Sequence, residues 1–444
     1  MTAEIRFFWA RLNANYWFYP ALFTLAAGIL AFAMIWLDRS GTSAWLNDIE
    51  WLAPARPKGA ADMLTVMAGS MIGTAATVFS ITIAAVAYAS GNYGPRLLTN
   101  FMEDRGNQLS LATFIASFVY ALIVLRAVRA EDETAANGFE PATVMPGFTP
   151  QLSLLVAYIL MAISVAVLVF FLNHIPSSIR INKVLEGIGN RLLEAIRDTY
   201  PVEDELGDAR EPEGGDPLTA WDTGYIQMID FEDLERIAQA CGCTFSLAIR
   251  TGDFVHRDLA LMHVKGCAPE DIEEKVRDCF TLGPTRTPEQ DPQFLIDELV
   301  EIGLRALSPG INDPFTAVTA LHWLGAATAE IGRRDLRKDL GSDGEESRVI
   351  PRPDDFAHYA DRGFGSIRSG VATNPTAAVV MLETLQNAAM PIHHAGRVKV
   401  LRTEAEMLLE QAKLSLAGPD LELVERRFRE FAQAVPARSL RAAS

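Results

Sequence analysis

Four long apolar stretches fix most of what this chain can become. Phe18–Leu37, Met63–Ala89, Gln108–Leu125 and Leu152–Leu172 are each long enough to cross a hydrocarbon core of about 30 Å as a helix. Lipid offers no hydrogen bonds, so each segment must satisfy its own backbone, and the helix is the form that does this within one span. The first stretch lacks a cleavage pattern after a short apolar region and reads as an anchor. Tyr16, Trp17, Tyr19, Trp36, Tyr88 and Tyr93 gather at the predicted edges, where amphipathic rings settle.

Charge divides the chain at the end of the fourth stretch. Through Leu172 there are nine Lys/Arg and eleven Asp/Glu, a net of −2, which leaves −15 of the total −17 for the remainder. So acidic a second half argues against a nucleic-acid partner, which demands basic patches, and against broad docking on anionic lipid. Arg6, Arg11, Arg96, Arg105, Arg180, Lys183, Arg191 and Arg197 fall on one predicted side. Arg39, Arg56, Lys58, Arg126 and Arg129, diluted by Glu131, Asp132 and Glu133, fall on the other. This bias places both termini in the cytoplasm. On the opposite side Trp45, Ile49 and Leu52 recur at helical spacing and suit either a short surface helix or an ordinary loop. The four cysteines, Cys241, Cys243, Cys267 and Cys279, all lie in the second half and read as reduced thiols.

The second span differs from the others. Gly69, Gly73, Thr77, Ser80, Ala84, Ala87 and Gly91 stay within roughly 80° of one another at ~100° per residue, one seam of small side chains. In lipid such a seam lets another backbone come close. The partner is either another span of this chain or a second copy in a symmetric homo-oligomer. In the second case Ser70 and Thr74, beside the seam, supply hydroxyls to a water or inorganic-ion path. None of the four stretches contains Asp, Glu, Lys, Arg or His, which speaks against a proton relay or voltage sensor at membrane depth. Between the second and third spans, Arg96 and Arg105 suit a turn or a contact with lipid phosphate.

The pattern predicts an α-helical membrane protein with four transmembrane helices, a cytosolic α/β module and a C-terminal helical bundle. Residues 1–200 form the membrane region with an inward helical extension, 201–220 an acidic flexible linker, 221–285 the α/β module and 286–444 the helical domain. In the module, GYIQMI and CTFSLAIR read as strands around the helix DFEDLERIAQA, TGDF as a turn, FVHRDLALMHV as further strand and PEDIEEKVRDC as helix. Helices are expected over 354–371, 375–390, 393–416 and 420–434. RALSPGINDPFTA reads as a helical corner: Asp313 and Pro314 supply an N-cap and first-turn proline, while Pro309 and Gly310 end the preceding helix. Asn312 has no local role in that reading, and an interface or anion site at the helix start is the alternative. The CGC and HVKGC cysteines and histidines match no zinc spacing, so no metal or cofactor is expected. Nucleotide-loop, zincin and nucleophile-elbow motifs are absent as well, and nothing recommends an enzyme.

GSMIGTAATVFSITIAAVAYASGNYGPRLLTNFMEDRGNQ, TPEQDPQFLIDELVEIGLRALSPGINDPFTA and GYIQMID together resemble a family of bacterial membrane proteins catalogued as domain of unknown function 2254. The resemblance covers nearly the whole chain. It implies a multi-span domain in a bacterial inner membrane with a cytosolic domain, and it transfers no catalytic residues. VHRDLALMHV stands after TGDF where a Gly-Pro turn is expected in that family. These features together lead to the expectation of a homo-oligomeric, channel-like protein with a mild preference for cations and a regulatory cytosolic domain. The competing expectation is a membrane-anchored sensor or scaffold.

Overall fold

The computed structural model describes residues 15–41, 56–94, 104–129, 147–178, 180–201, 214–336 and 347–435. The chain forms two compact units, Met1–Gly91 with Pro95–Arg180, and Asn92–Gly94 with Ile181–Ser444. Arg96, the suggested surface helix at Trp45, Ile49 and Leu52, and most of the acidic linker lie outside the described residues.

The first unit holds the four apolar helices, α1 (Phe18–Arg39), α2 (Pro57–Tyr93), α3 (Arg105–Leu125) and α4 (Gln151–Ser178). Over half of the apolar window of α3 is buried, about twice the share of any other span, and α3 packs against both α1 and α4. At its centre Ser117 and Ser164 exchange a buried hydrogen bond of 2.9 Å. Helix α2 runs 37 residues, about 55 Å at a rise of ~1.5 Å per residue, well beyond the apolar stretch that foretold it. Among its buried positions, Ala60, Leu64, Met67, Met71, Ala75, Val78, Thr82, Val86 and Ala89 recur at three and four and, with Ala68, make one stripe.

Ionisable groups sit at the ends of these helices and cap them. Asp38, in the last turn of α1, accepts from Leu152 N (3.0 Å), Ser153 N (2.9 Å) and Ser153 Oγ (2.7 Å), so it satisfies free amides at the start of α4. Asp104 caps α3 through Asn107 N and also meets His174 Nε2 at 2.9 Å. His174 belongs to α4 because that helix continues six residues past the stretch expected to end at Leu172.

The second unit opens with α5 (Ile181–Thr199), which packs on α8 (Pro292–Ala306) and α9 (Pro314–Ile331). The stretch expected to extend the membrane region therefore belongs with the helical domain. Leu185, Ile188, Leu192 and Ile196 form its buried face, a strong 3.6-residue pattern that needs a helical partner.

A mixed module follows, with β1 (Asp216–Thr219), β2 (Gly224–Ile229), α6 (Phe231–Cys241), β3 (Thr244–Leu247), β4 (Phe254–Val255), β5 (Ala260–Lys265), α7 (Glu273–Arg277) and β6 (Phe280–Gly283). One sheet has the order β1-β5-β3-β7, with β7 (Val349–Ile350) parallel to β3; the other is β4-β2-β6. Strand β1 falls inside the expected linker and β7 comes from beyond the expected module end, so neither boundary coincides with the fold. The helix expected over PEDIEEKVRDC is reduced to a 3₁₀ turn and the five residues of α7. Cys243 and Cys267 form a disulfide (Cα–Cα 5.9 Å), contrary to the expectation of four reduced thiols. Antiparallel pairing of Thr244 with Lys265 brings these flanking positions together. Cys241 is exposed, while burial pushes the Cys279 thiol up to about 12, which keeps it protonated.

The C-terminal helices are α10 (Phe356–Ala360), a π turn at Asp361–Gly365, α11 (Ser366–Val371), α12 (Pro375–Ala389), α13 (Ala395–Ser415) and α14 (Gly418–Ala434), close to the expected spans.

Candidate functional site

All seven seam residues, Gly69, Gly73, Thr77, Ser80, Ala84, Ala87 and Gly91, lie on the exposed side of α2. The seam centre is about 170° around the helix from the centre of the buried stripe, counted at ~100° per residue. A Cβ built at Gly69, Gly73 or Gly91 would meet nothing within 4 Å. Packing against another described span of the same subunit, one of the two partners considered from sequence, is therefore not what the seam does here. Gly69, Gly73 and Thr77 of the seam, with Ser70 and Thr74 beside it, face Leu168, Phe171 and Leu172 of α4 across an open groove of about 460 Å³. Thr77 Oγ1 donates to Gly73 O (3.0 Å) and Ser80 Oγ to Ala76 O (2.8 Å). Each hydroxyl proton is thus turned into the helix and the oxygen lone pairs remain for an outside donor or cation. Arg105 is exposed at the start of α3.

The corner at 305–317 is built as a double stop. Asp313 N donates to Ala306 O (2.7 Å), closing α8, while the Asp313 carboxylate accepts from Thr316 N (3.2 Å) and Thr316 Oγ1 (2.6 Å), opening α9. Pro314 occupies the first helical position. Asn312 adopts φ +49°, the left-handed region that asparagine tolerates best among residues with a side chain, so it does have a local role. Pro309, Gly310, Ile311 and Asn312 are exposed.

A buried polar cluster, not foreseen from sequence, ties the α/β module to the helices. Arg286 donates to Asp291 Oδ2 (Nε, 2.8 Å) and Asp297 Oδ2 (Nη1, 2.5 Å). Arg362, thrown inward by the π turn, donates to both oxygens of Asp297 (2.6 and 2.7 Å) and to Gln293 Oε1 (3.0 Å). Arg250 pairs with Asp354 (2.8 Å), which also accepts from the Tyr200 hydroxyl (2.5 Å), itself 2.9 Å from Tyr359 OH. Burial raises both phenols above their ordinary range, so they stay neutral donors. Gln290 reads β2 like an added strand, accepting from Ile229 N (3.0 Å) and donating to Ile229 O (3.2 Å). Nearby, burial raises the Glu330 carboxyl, but hydrogen bonds from Arg334 and Arg333 outweigh it and leave the group below its usual value. Every charge in the cluster faces a fixed partner, an arrangement that holds elements in register. Its only early signal is the density of polar residues in RTPEQDPQFLIDE, a segment otherwise patterned as a helix.

These features define a class: a four-span membrane protein joined to a large second unit of two small sheets and packed helices. The chain belongs to the family described as "Predicted membrane protein (DUF2254)", whose match covers residues 13–387. It is similar to an uncharacterised protein of Mycobacterium tuberculosis and one of Mycobacterium bovis, each 30% identical over 374 residues, 81% of this chain and 70% of the relative. No solved structure matches the chain.

Proposed function

We propose that this protein is a homo-oligomeric, channel-like permeation protein of a bacterial inner membrane, with α2 of each copy bordering the shared path. The observation that carries this reading is the outward-facing seam. Lipid chains fill the space beside a glycine poorly, whereas a second helix gains close van der Waals contact there. Ser70 and Thr74 then edge the groove next to the seam, and the Thr77 and Ser80 oxygens offer acceptors without any charged group at depth. With both termini in the cytoplasm, as the basic side chains suggest, the strongly acidic second unit concentrates cations near the mouth and gives a mild preference for them. The second unit is then regulatory, and no chemical step is assigned to the chain.

Mass measurement of the detergent-solubilised full chain, followed by ion flux in liposomes, tests the proposal. A multimer that Gly73→Trp reduces to monomer, with flux lost in the same variant, is the expected result. A monomeric parent protein, or an oligomer that conducts nothing under varied salt, voltage and tension, refutes it.

A second reading, a membrane-anchored sensor or scaffold, draws on the compactness of the second unit and its own hydrophobic core. It predicts a silent protein in liposomes whose second unit captures a partner or small ligand.

A further inference from the structure

We propose that the corner between α8 and α9 is a membrane-docking tip, with Ile311 and Phe315 inserted into the lipid interface on the side of the bilayer that the second unit faces. This inference does not depend on whether the spans conduct ions.

Phe315 is 74% exposed and Ile311 43% exposed, four positions apart on one tip. The tip is rigid: Ile311 N (3.1 Å) and Asn312 N (2.8 Å) both donate to Ser308 O, Asn312 takes the left-handed turn and Asp313 clamps both helix ends. A flexible loop would fold such side chains back onto its own surface. This one holds them out.

The path of the chain gives the tip its direction. The second unit takes in chain from the first at two places, Asn92–Gly94 and Ile181. Gly94 sits beside α8, where a Cβ would lie 2.6 Å from Glu301 Oε1 and 3.4 Å from Arg305 Nε, within the last two turns of that helix. Helix α5 runs parallel to α9, because Gly189 abuts the Trp323 ring and Arg197 reaches Glu330 at 3.4 Å. At equal rise per residue, stepping back along both helices from Gly189 and Trp323 brings Ile181 level with Phe315. Ile181 follows the last residue of α4, Ser178, by only three positions. Both connections to membrane helices therefore enter at the end of the unit that carries the exposed pair.

Charge agrees. Arg180 is exposed just before α5, while Lys183 in its first turn and Arg305 in the last turn of α8 pair with Glu186 (2.8 Å) and Glu301 (3.2 Å), so the acidic character of the unit is offset at this end. Headgroups flanking the two inserted apolar groups thus meet a charge-offset end with an exposed Arg180 rather than the acidic remainder of the unit. Met390, 74% exposed just after α12, lies beside the Ile392 contact with Gly332 at the opposite end of α9 and serves as the control.

The test uses the full chain in lipid nanodiscs, in a Cys241→Ser background, with a spin label at Ile311→Cys, Phe315→Cys or Met390→Cys. Ile311 and Phe315 are labelled separately so that one poorly folded variant leaves the other informative. Collision with dissolved oxygen, which enriches in lipid, is compared with collision by a water-soluble nickel chelate. Insertion predicts an oxygen-to-nickel ratio several-fold higher at both tip positions than at Met390. Equal ratios at all three overturn the proposal. So does low access to both reagents together with dipolar broadening between labels, which marks a second copy as the occupant.

Discussion

Gly252 and Gly310 look alike in sequence, each a glycine in a turn, yet the structure predicts opposite responses to alanine. Gly252 holds φ +91°, and a Cβ there would overlap Asp291 Oδ2, the oxygen that Arg286 grips. Gly310 has no heavy atom within 4 Å of a built Cβ. Placing alanine in left-handed backbone costs about 1–2 kcal/mol. Breaking a buried ion pair outright costs ~3–5 kcal/mol, and displacing Asp291, whose side chain is only 2% exposed, removes part of that. Together Gly252→Ala loses about 3 kcal/mol, which lowers the melting temperature by roughly 6–12 °C for a unit of this size. Gly310→Ala stays within about 0.5 kcal/mol of the parent. Cys279 supplies a readout confined to the second unit: it is buried, and all four cysteines lie in that unit. In a Cys241→Ser background, heating in the presence of a fluorogenic maleimide reports when Cys279 becomes accessible. A Gly252→Ala transition within about 1 °C of the parent, or a Gly310→Ala transition that falls equally far, refutes the assignment of this turn as the seat of the ion pair.

The same maleimide assay separates two replacements of Asn312: glycine is neutral there, whereas valine loses about 1–2 kcal/mol because a branched side chain resists φ +49°. Glu330 contributes stability that is present above its unfolded value of 4.5 and lost as pH falls through its lower folded value. Acid titration of Glu330→Gln, followed by tryptophan fluorescence, should therefore show a shallower loss below pH 4.5 than the parent, and an unchanged acid limb contradicts the arginine clamp. In the membrane unit, Ser117→Ala and Ser164→Ala each cost about 0.6 kcal/mol and the double variant little more than one alone. Unfolding of the four proteins of this cycle in mixed micelles measures the coupling, and full additivity rejects the buried pair.

Much of the architecture was legible because its signals are local. Apolar length located the four spans, though their ends ran longer where polar residues continue a helix already started, as at Ser177 in α4. Asp313-Pro314 marked a helix start, since one residue caps the free amides and the next fits the first turn, and Asp291-Pro292 opens α8 in the same way. What failed to show was pairing at a distance. Asp38 finds Leu152 across 114 residues, and Arg362 finds Asp297 across 65; neither partner leaves a mark near the other in sequence. Strand β7 has two residues and β1 no apolar alternation, so both derive their conformation from neighbours rather than from pattern. The seam itself was legible from spacing, but which way it faces was not, because the opposite side of α2 also carries small residues, Ala60, Ala68, Ala75 and Ala89.

The difference between the two faces is in how glycine is used. A Cβ built at Gly106 on α3 would lie 2.6 Å from His174 Nε2, so within the first unit that glycine lets α4 come close. Gly69, Gly73 and Gly91 have no such neighbour, and each costs about 1 kcal/mol relative to alanine in a helix interior. Three of them in one register are a standing cost that no contact inside the described subunit offsets. Large side chains are not scarce on that side of α2, since Ile72, Phe79 and Ile83 stand just to one side of the seam and Ile81 and Tyr88 to the other. The small residues thus form a channel between bulkier walls, shaped to accept a helix backbone rather than disordered chains. In the proposed oligomer a second copy gives these glycines the role that Gly106 already fills on α3.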